Sequence, residues 1–177
     1  MRQPLRKFRK LTEGERARAL AFILVGICSA GLGYLAVLHL DRGALFAGLS
    51  WYQTWIVVAS GLGGLVSLFL AGDRMGQSGA VGALRGAAGA IWVTFIGALI
   101  GGTLALPFYG TMFGPFIVTV TLFGAPLLAM LWAFNLFGVH MLLGIYQRER
   151  DSIFTPSRMT LPDHPESLRP RFQGRMG

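Results

Sequence analysis

Long apolar segments separated by short polar ones dominate the middle of this chain. The stretch 86–146 contains no Asp, Glu, Lys or Arg. A bilayer core about 30 Å thick takes about 20 apolar residues to cross as a helix, so a stretch this long predicts at least two crossings. The segment 107–115, which contains two prolines and two glycines, predicts an external hairpin between them.

Two shorter apolar segments precede this stretch, and together they predict four membrane-spanning helices. The predicted spans are 19–40, 51–71, 87–106 and 116–146. The last would be about 46 Å long as a continuous helix, so tilt, a kink at Pro126 or a cytoplasmic extension must absorb the excess over the hydrocarbon thickness. The predicted fold class is an all-α integral membrane protein, a four-transmembrane-helix bundle with short loops.

The segment 1–18 before the first span is basic, and apolar residues recur at every third position from Leu5 to Leu11. It predicts either an amphipathic helix on anionic lipid headgroups or a disordered tail, and the sequence leaves both alternatives open. Thr12 and Glu15 have the spacing of a capping box, which predicts that the first helix begins there.

A basic start followed by an apolar segment also resembles a secretory signal peptide. The apolar segment continues to Leu40, however, whereas the apolar core of a signal peptide has about 7–15 residues. We therefore expect the segment to remain in the protein as its first span.

The basic residues are concentrated near the two ends of the chain. The net charge is +8, and of the 16 Lys and Arg residues seven precede Ala19 and six follow Tyr146. Because basic residues are retained on the cytoplasmic side of a membrane, this distribution predicts that both termini and the loop 73–85 are cytoplasmic. The Pro-rich tail 147–177 has mixed charge and predicts an extended or disordered segment.

The composition agrees with a membrane protein, with 53% hydrophobic residues and a mean hydropathy of +0.55. Basic ends around uncharged spans favour contact with lipid headgroups over nucleic-acid binding. Arg outnumbers Lys by 14 to 2, which indicates a GC-rich bacterial genome. We expect a multi-pass protein of the bacterial inner (cytoplasmic) membrane, with the lipid bilayer and other membrane subunits or a second copy as partners.

Small residues recur at four-residue intervals along the second and third spans, which is typical of closely packed membrane helices. In the second span they are Ala59, Gly63, Ser67 and Ala71. In the third they form two adjacent ridges, one of Gly86, Ala90, Thr94, Ala98 and Gly102 and one of Gly89, Val93, Gly97 and Gly101. We expect the packing centre of the bundle at these positions.

Aromatic residues mark both ends of the predicted bundle. Trp51, Tyr52 and Trp55 open the second span, and Tyr146 closes the fourth. Amphipathic aromatic rings prefer the level of the lipid headgroups, so these four side chains are predicted interfacial anchors.

The spans contain none of the groups on which most membrane enzymes depend. Proton relays and intramembrane proteases need ionisable side chains at depth, and no Asp, Glu, Lys or Arg occurs in the four spans. Cys28 is the only cysteine, which excludes an intrachain disulfide and a cysteine-based metal site. The Gly-rich loop 73–85 lacks the Lys-Ser/Thr pair of a phosphate-binding loop. We predict that the protein is not an enzyme.

His140 is the one candidate cofactor ligand, because imidazole can bind haem iron or the magnesium of a chlorin. His39 is predicted at the opposite end of the bundle, so the two histidines do not form one shared site. The more common role of a histidine at this depth is a hydrogen bond to a neighbouring helix. Asn135 lies about 140° from His140 around the same helix and is predicted to donate an interhelical hydrogen bond.

Taken together, these patterns favour a non-catalytic accessory, assembly or scaffolding component of a larger membrane complex. Two alternatives remain open. One is a haem- or chlorin-binding membrane subunit that uses His140, and the other is a small oligomeric channel or exporter lined by glycine faces.

Overall fold

A computed structural model of the chain describes residues 12–41 and 48–154, and within these ranges all regular structure is helical. The helices are α1 (Glu13–Asp41), α2 (Trp51–Ala71), α3 (Gly79–Ala105), α4 (Tyr109–Gly124) and α5 (Pro126–Phe154), with a short 3₁₀ turn at Gly72–Arg74. Four of them, α1, α2, α3 and α5, are long and apolar enough to cross a membrane. The all-helical class and the number of candidate spans are confirmed.

The first helix begins at the predicted capping box. The Glu15 amide donates to the Thr12 hydroxyl at 3.2 Å, and the Thr12 amide donates to the Glu15 carboxylate at 3.0 Å. These reciprocal bonds satisfy two donors that the first turn of a helix leaves without partners. Part of the predicted basic segment 1–18 is therefore helical, and its residues 1–11 lie outside the described ranges.

The predicted loop 73–85 is wrong in its second half, because α3 begins at Gly79 rather than at residue 87. Gly and Arg residues made this segment resemble a loop, but Ala80, Ala83 and Leu84 are strong helix formers that support a first turn. Gly82 lies directly against the Gln77 carbonyl group, where no larger residue would fit. The connection between α2 and α3 is accordingly short.

The predicted single span 116–146 is also wrong, because two helices cover this region. Ala125 between them has φ −129° and ψ 84°, which is not helical, and a following proline disfavours the helical conformation of the residue before it. Pro126 has no amide hydrogen to continue the preceding helix. The predicted kink at this proline is therefore a complete break, and α4 has only 16 residues.

The predicted hairpin 107–115 is shorter than expected. Its turn ends at Phe108, and Pro115 lies inside α4. At the other end of the region α5 continues to Phe154, so the first eight residues of the predicted tail 147–177 are helical. The remainder of that tail, 155–177, lies outside the described residues.

The helices contact one another in the order α5, α1, α2, α3, α4, whereas α3 and α5 touch only at a few points. The core lies where α1, α2, α3 and α5 converge. Its fully buried side chains include Ala21, Val25, Met75, Val93 and Val139. Because α3 and α5 are not packed along their length, an open cleft remains between them.

All arginines of the described residues lie at one end of the bundle, which we call the charged end. They are Arg16, Arg18, Arg74, Arg85, Arg148 and Arg150. The start of α1, the connection between α2 and α3, and the end of α5 meet there. The opposite end carries no Lys or Arg within the described residues.

Candidate functional site

The connection 72–78 between α2 and α3 is docked onto α5 at the charged end. The Asp73 carboxylate pairs with Arg150 at 2.8 Å, and the Met75 carbonyl accepts a hydrogen bond of 2.6 Å from the buried Gln147 amide group. Met75 itself is 1% exposed, and its side chain belongs to the core. The connection is therefore a packed part of the bundle rather than a solvated loop.

Gly76 lies directly against the backbone of α5. Its φ is +97°, a conformation that residues with a side chain rarely adopt. A Cβ at this position would lie 2.7 Å from the Leu143 carbonyl carbon and 2.8 Å from the Gly144 amide nitrogen. Only glycine meets both the conformational and the spatial requirement.

The His140 ring holds this connection from the α5 side. Its Nδ1 atom accepts a hydrogen bond of 3.0 Å from the Gly76 amide. Because a backbone amide can only donate, this bond assigns the proton of the neutral ring to Nε2. On its other side the ring contacts α3, where a Cβ at Gly86 would lie 2.6 Å from Nδ1.

This hydrogen bond bears on the predicted cofactor role of His140. A metal-ligating histidine normally donates the N–H of its second ring nitrogen to an acceptor. Here Nδ1 accepts instead, so Nε2 carries the proton that a metal would have to displace. This geometry does not favour haem or chlorin binding at His140. The cofactor role of His140 stays a prediction.

Replacing His140 with phenylalanine is expected to destabilise the protein by about 1–3 kcal/mol. Phenylalanine keeps a ring against Gly86 but leaves the partly buried Gly76 amide without an acceptor. His140→Asn is the matched variant, because its side-chain oxygen can occupy the place of Nδ1. Unfolding in mixed detergent micelles measures both. Destabilisation of His140→Asn with no loss in His140→Phe would show that ring packing, and not the hydrogen bond, stabilises this contact.

The cleft between α3 and α5 has a volume of about 820 Å³. Its walls are mostly apolar and include Ala87, Ala90, Leu136, Phe137 and Met141. We call it the α3–α5 cleft.

Polar contacts define both ends of this cleft. At one end the Trp132 indole donates to the Thr94 hydroxyl at 2.9 Å, which joins α5 to α3. The Thr94 hydroxyl in turn donates to the Ala90 carbonyl at 2.8 Å. At the charged end the lining includes Ser78 and Arg148. The cleft therefore runs from an apolar interior to a polar mouth.

The predicted small-residue positions separate into three groups in the structure. Ala59, Gly63, Ser67 and Ala71 are all buried on α2. Gly86, Ala90 and Thr94 of α3 line the α3–α5 cleft. Ala98 and Gly102 face α4, where their backbones meet Gly114 and Gly110.

The small residues of α2 pack against the second ridge of α3. A Cβ at Gly63 would lie 2.7 Å from the Gly101 amide nitrogen and would overlap the Gly97 carbonyl oxygen. A second cavity of about 510 Å³ lies beside this contact, among α1, α2, α3 and α4. The glycine backbones at this contact are covered by helices of the same chain, which does not favour a glycine-lined channel there.

The predicted aromatic anchors also make specific contacts. The Trp55 indole donates to the Leu104 carbonyl at 3.0 Å, and the Tyr52 hydroxyl donates to the Ala105 carbonyl at 3.3 Å. Both carbonyls belong to the last turn of α3, which has no intrahelical donors for them. Trp51 is 88% exposed, and at the charged end the Tyr146 hydroxyl accepts from Arg18 at 3.1 Å.

Asn135 does not make the interhelical hydrogen bond that was expected. Its side chain is buried, and neither its oxygen nor its nitrogen has a partner among the described residues. An unpaired buried amide costs free energy, and nothing in the structure explains its presence.

No family model, curated protein or solved structure matches this chain. The site therefore has to be interpreted from its own geometry. The site also includes four residues that sequence patterns did not single out, namely Met75, Gly76, Gln147 and Arg148. The one local signal was the Gly-rich composition of 72–79, which marks close backbone approach as well as loops.

Proposed function

We propose that the protein is a non-catalytic accessory or assembly component of a larger complex in the bacterial inner membrane, with its charged end in the cytoplasm. The observation that carries this proposal is that α1 begins and α5 ends at one point. The Gly14 amide donates to the Glu149 carboxylate, and the Arg18 guanidinium lies 5.0 Å from the centre of the Tyr146 ring. The two helix ends support each other.

Both terminal segments of the chain are attached at this point. Segments 1–11 and 155–177 together contain nine basic and two acidic residues. By contrast, the described residues of the charged end contain nearly equal numbers of the two charges. They include six arginines and five acidic residues, Glu13, Glu15, Asp73, Glu149 and Asp151. The excess positive charge therefore belongs to the terminal segments.

Two basic segments that are joined to neighbouring helix ends favour binding to one acidic surface. When one segment binds, the other is held at a high effective concentration near the same partner. Retention of basic residues on the cytoplasmic side directs both segments to that compartment. An acidic cytoplasmic face of another membrane subunit is the partner that fits this arrangement.

The proposal is tested by purifying the full chain in mild detergent and identifying co-purifying proteins by mass spectrometry. Replacing the nine basic residues of segments 1–11 and 155–177 with glutamine is expected to lower partner recovery at least tenfold. The matched control replaces Asp163 and Glu166 with their amides and should leave recovery unchanged. A lone chain in every detergent, or recovery that is insensitive to the nine substitutions, would contradict the proposal.

A further inference from the structure

The α3–α5 cleft has the length of one bilayer leaflet. Trp132 closes it at one end and Arg148 lies at its mouth. These residues are 16 positions apart on α5, which corresponds to about 24 Å. One leaflet of a bilayer measures about 20–22 Å including its headgroups. A transmembrane helix of a partner protein would need a groove as long as the hydrocarbon core, about 30 Å. Because Trp132 closes the cleft at one end, the cleft is too short for such a helix.

The mouth of the cleft is matched to an anionic headgroup. The Arg148 side chain is exposed and has no ion pair or hydrogen bond within the part of the chain that the structure describes. Its neighbours are already engaged, since Glu149 accepts from Gly14 and Arg150 pairs with Asp73. The Ser78 hydroxyl at the same mouth does not cap α3.

We propose that the α3–α5 cleft binds one anionic diacyl phospholipid. One acyl chain lies between Ala87 and Ala90 on α3 and Leu136 and Phe137 on α5, which form apolar walls of the cleft. The phosphate group lies at the mouth and pairs with Arg148, because a guanidinium binds phosphate oxygens strongly. The small residues of α3 leave the space that the acyl chain fills. None of the residues that line this site belongs to the terminal segments on which the proposed function depends.

The test is native mass spectrometry of the purified full chain after equilibration with equal amounts of phosphatidylglycerol and phosphatidylcholine. The wild-type chain is expected to retain one phosphatidylglycerol in preference to phosphatidylcholine. Arg148→Gln should lower this preference about fivefold, which is the effect of one basic residue at an anionic membrane surface. Arg16→Gln removes the same charge at the same end, outside the cleft lining, and should leave the preference unchanged.

A second pair of variants tests the apolar part of the cleft. Ala87→Phe fills it from an exposed position of α3 and should abolish retention of either lipid, whereas Ala19→Phe on exposed α1 surface should not. A chain that lacks residues 155–177 should retain lipid as the wild type does.

Equal retention of the two lipids by the wild type would overturn the proposal. So would an equal effect of Arg148→Gln and Arg16→Gln, which indicates general headgroup attraction. Greater retention after removal of 155–177 would indicate that this segment occupies the cleft instead, and loss of a co-purifying protein in Ala87→Phe with lipid retention unchanged would indicate a protein occupant.

Discussion

Replacing Gly63 with alanine is expected to destabilise the protein by about 3 kcal/mol, at the upper end of what overpacking costs. The added methyl group would meet the backbone of α3 at Gly97 and Gly101, and not the end of a flexible side chain. Backbone atoms can yield only if α2 and α3 move apart. In lipid such a movement removes the van der Waals contacts that hold the two helices together. Unfolding in mixed detergent micelles measures the loss.

Gly31→Ala is the matched control for this variant. Gly31 lies in the interior of α1, and a Cβ there would meet nothing within 4 Å. Because alanine favours the helix more than glycine does, this change is expected to stabilise the protein by about 0.5–1 kcal/mol. If Gly63→Ala and Gly31→Ala behaved alike, the close contact between α2 and α3 would not be what stabilises this interface.

The small-residue pattern predicted the close contact at Gly63 but not its partner on α3. The spacing predicted close packing of α2, and Gly63 does lie against the backbone of α3. The pattern could not say which ridge of α3 would receive it, because both ridges have the same period. The structure assigns Gly97 and Gly101 to α2, while Ala90 on the other ridge lines the cleft. The rotation of each helix about its own axis decides which ridge meets α2. That rotation depends on all the contacts of the bundle together.

The small residues also give less support to an external partner than the sequence suggested. Ridges of small residues can pack against a partner protein as well as within the bundle. The additional short helix α4 covers some of these positions, because Gly110 and Gly114 pack against α3. The remaining uncovered positions line the α3–α5 cleft. The proposed role in a complex therefore depends on the terminal segments and not on the ridges.

Helix boundaries were predictable where a side chain marks them and not elsewhere. Thr12 with Glu15 and Ser50 with Gln53 make reciprocal capping bonds at the starts of α1 and α2. At the start of α3 the Ser78 side chain makes no capping bond, so the local signal was weak. The sequence predicted a kink at Pro126 as one of several alternatives, whereas the structure has a break there. A proline inside a membrane helix can kink it or end it.

The docked connection 72–78 could not be inferred from sequence at all. Its contacts join residues that are 64 to 77 positions apart in the chain, such as Gly76 with His140 and Asp73 with Arg150. Each residue has an ordinary solvated role when it is considered alone. The position of His140 in the predicted span placed it near the charged end. The sequence could not give the direction in which its ring points.

Replacing Gly76 with alanine is expected to destabilise the protein by about 3–4 kcal/mol. About 1–2 kcal/mol comes from forcing a residue with a side chain into a positive-φ conformation, since φ here is +97°. The remainder comes from overpacking, because the methyl group would meet the α5 backbone at Leu143 and Gly144. The connection must then leave α5, which breaks the hydrogen bond to His140. Hydrogen exchange of segment 72–78 should accelerate together with the loss of stability.

Gly79→Ala separates strain from contact, because Gly79 has a similar φ of +87° and a Cβ there would meet nothing within 4 Å. This control should show only the conformational cost of about 1–2 kcal/mol, and exchange in segment 72–78 should remain slow. The difference between the two variants then measures the docking of the connection onto α5. Equal destabilisation and equal exchange in both would mean that the contact of Gly76 with Leu143 and Gly144 adds nothing, and that the charged end is held together by Asp73, Gln147 and Arg150 instead.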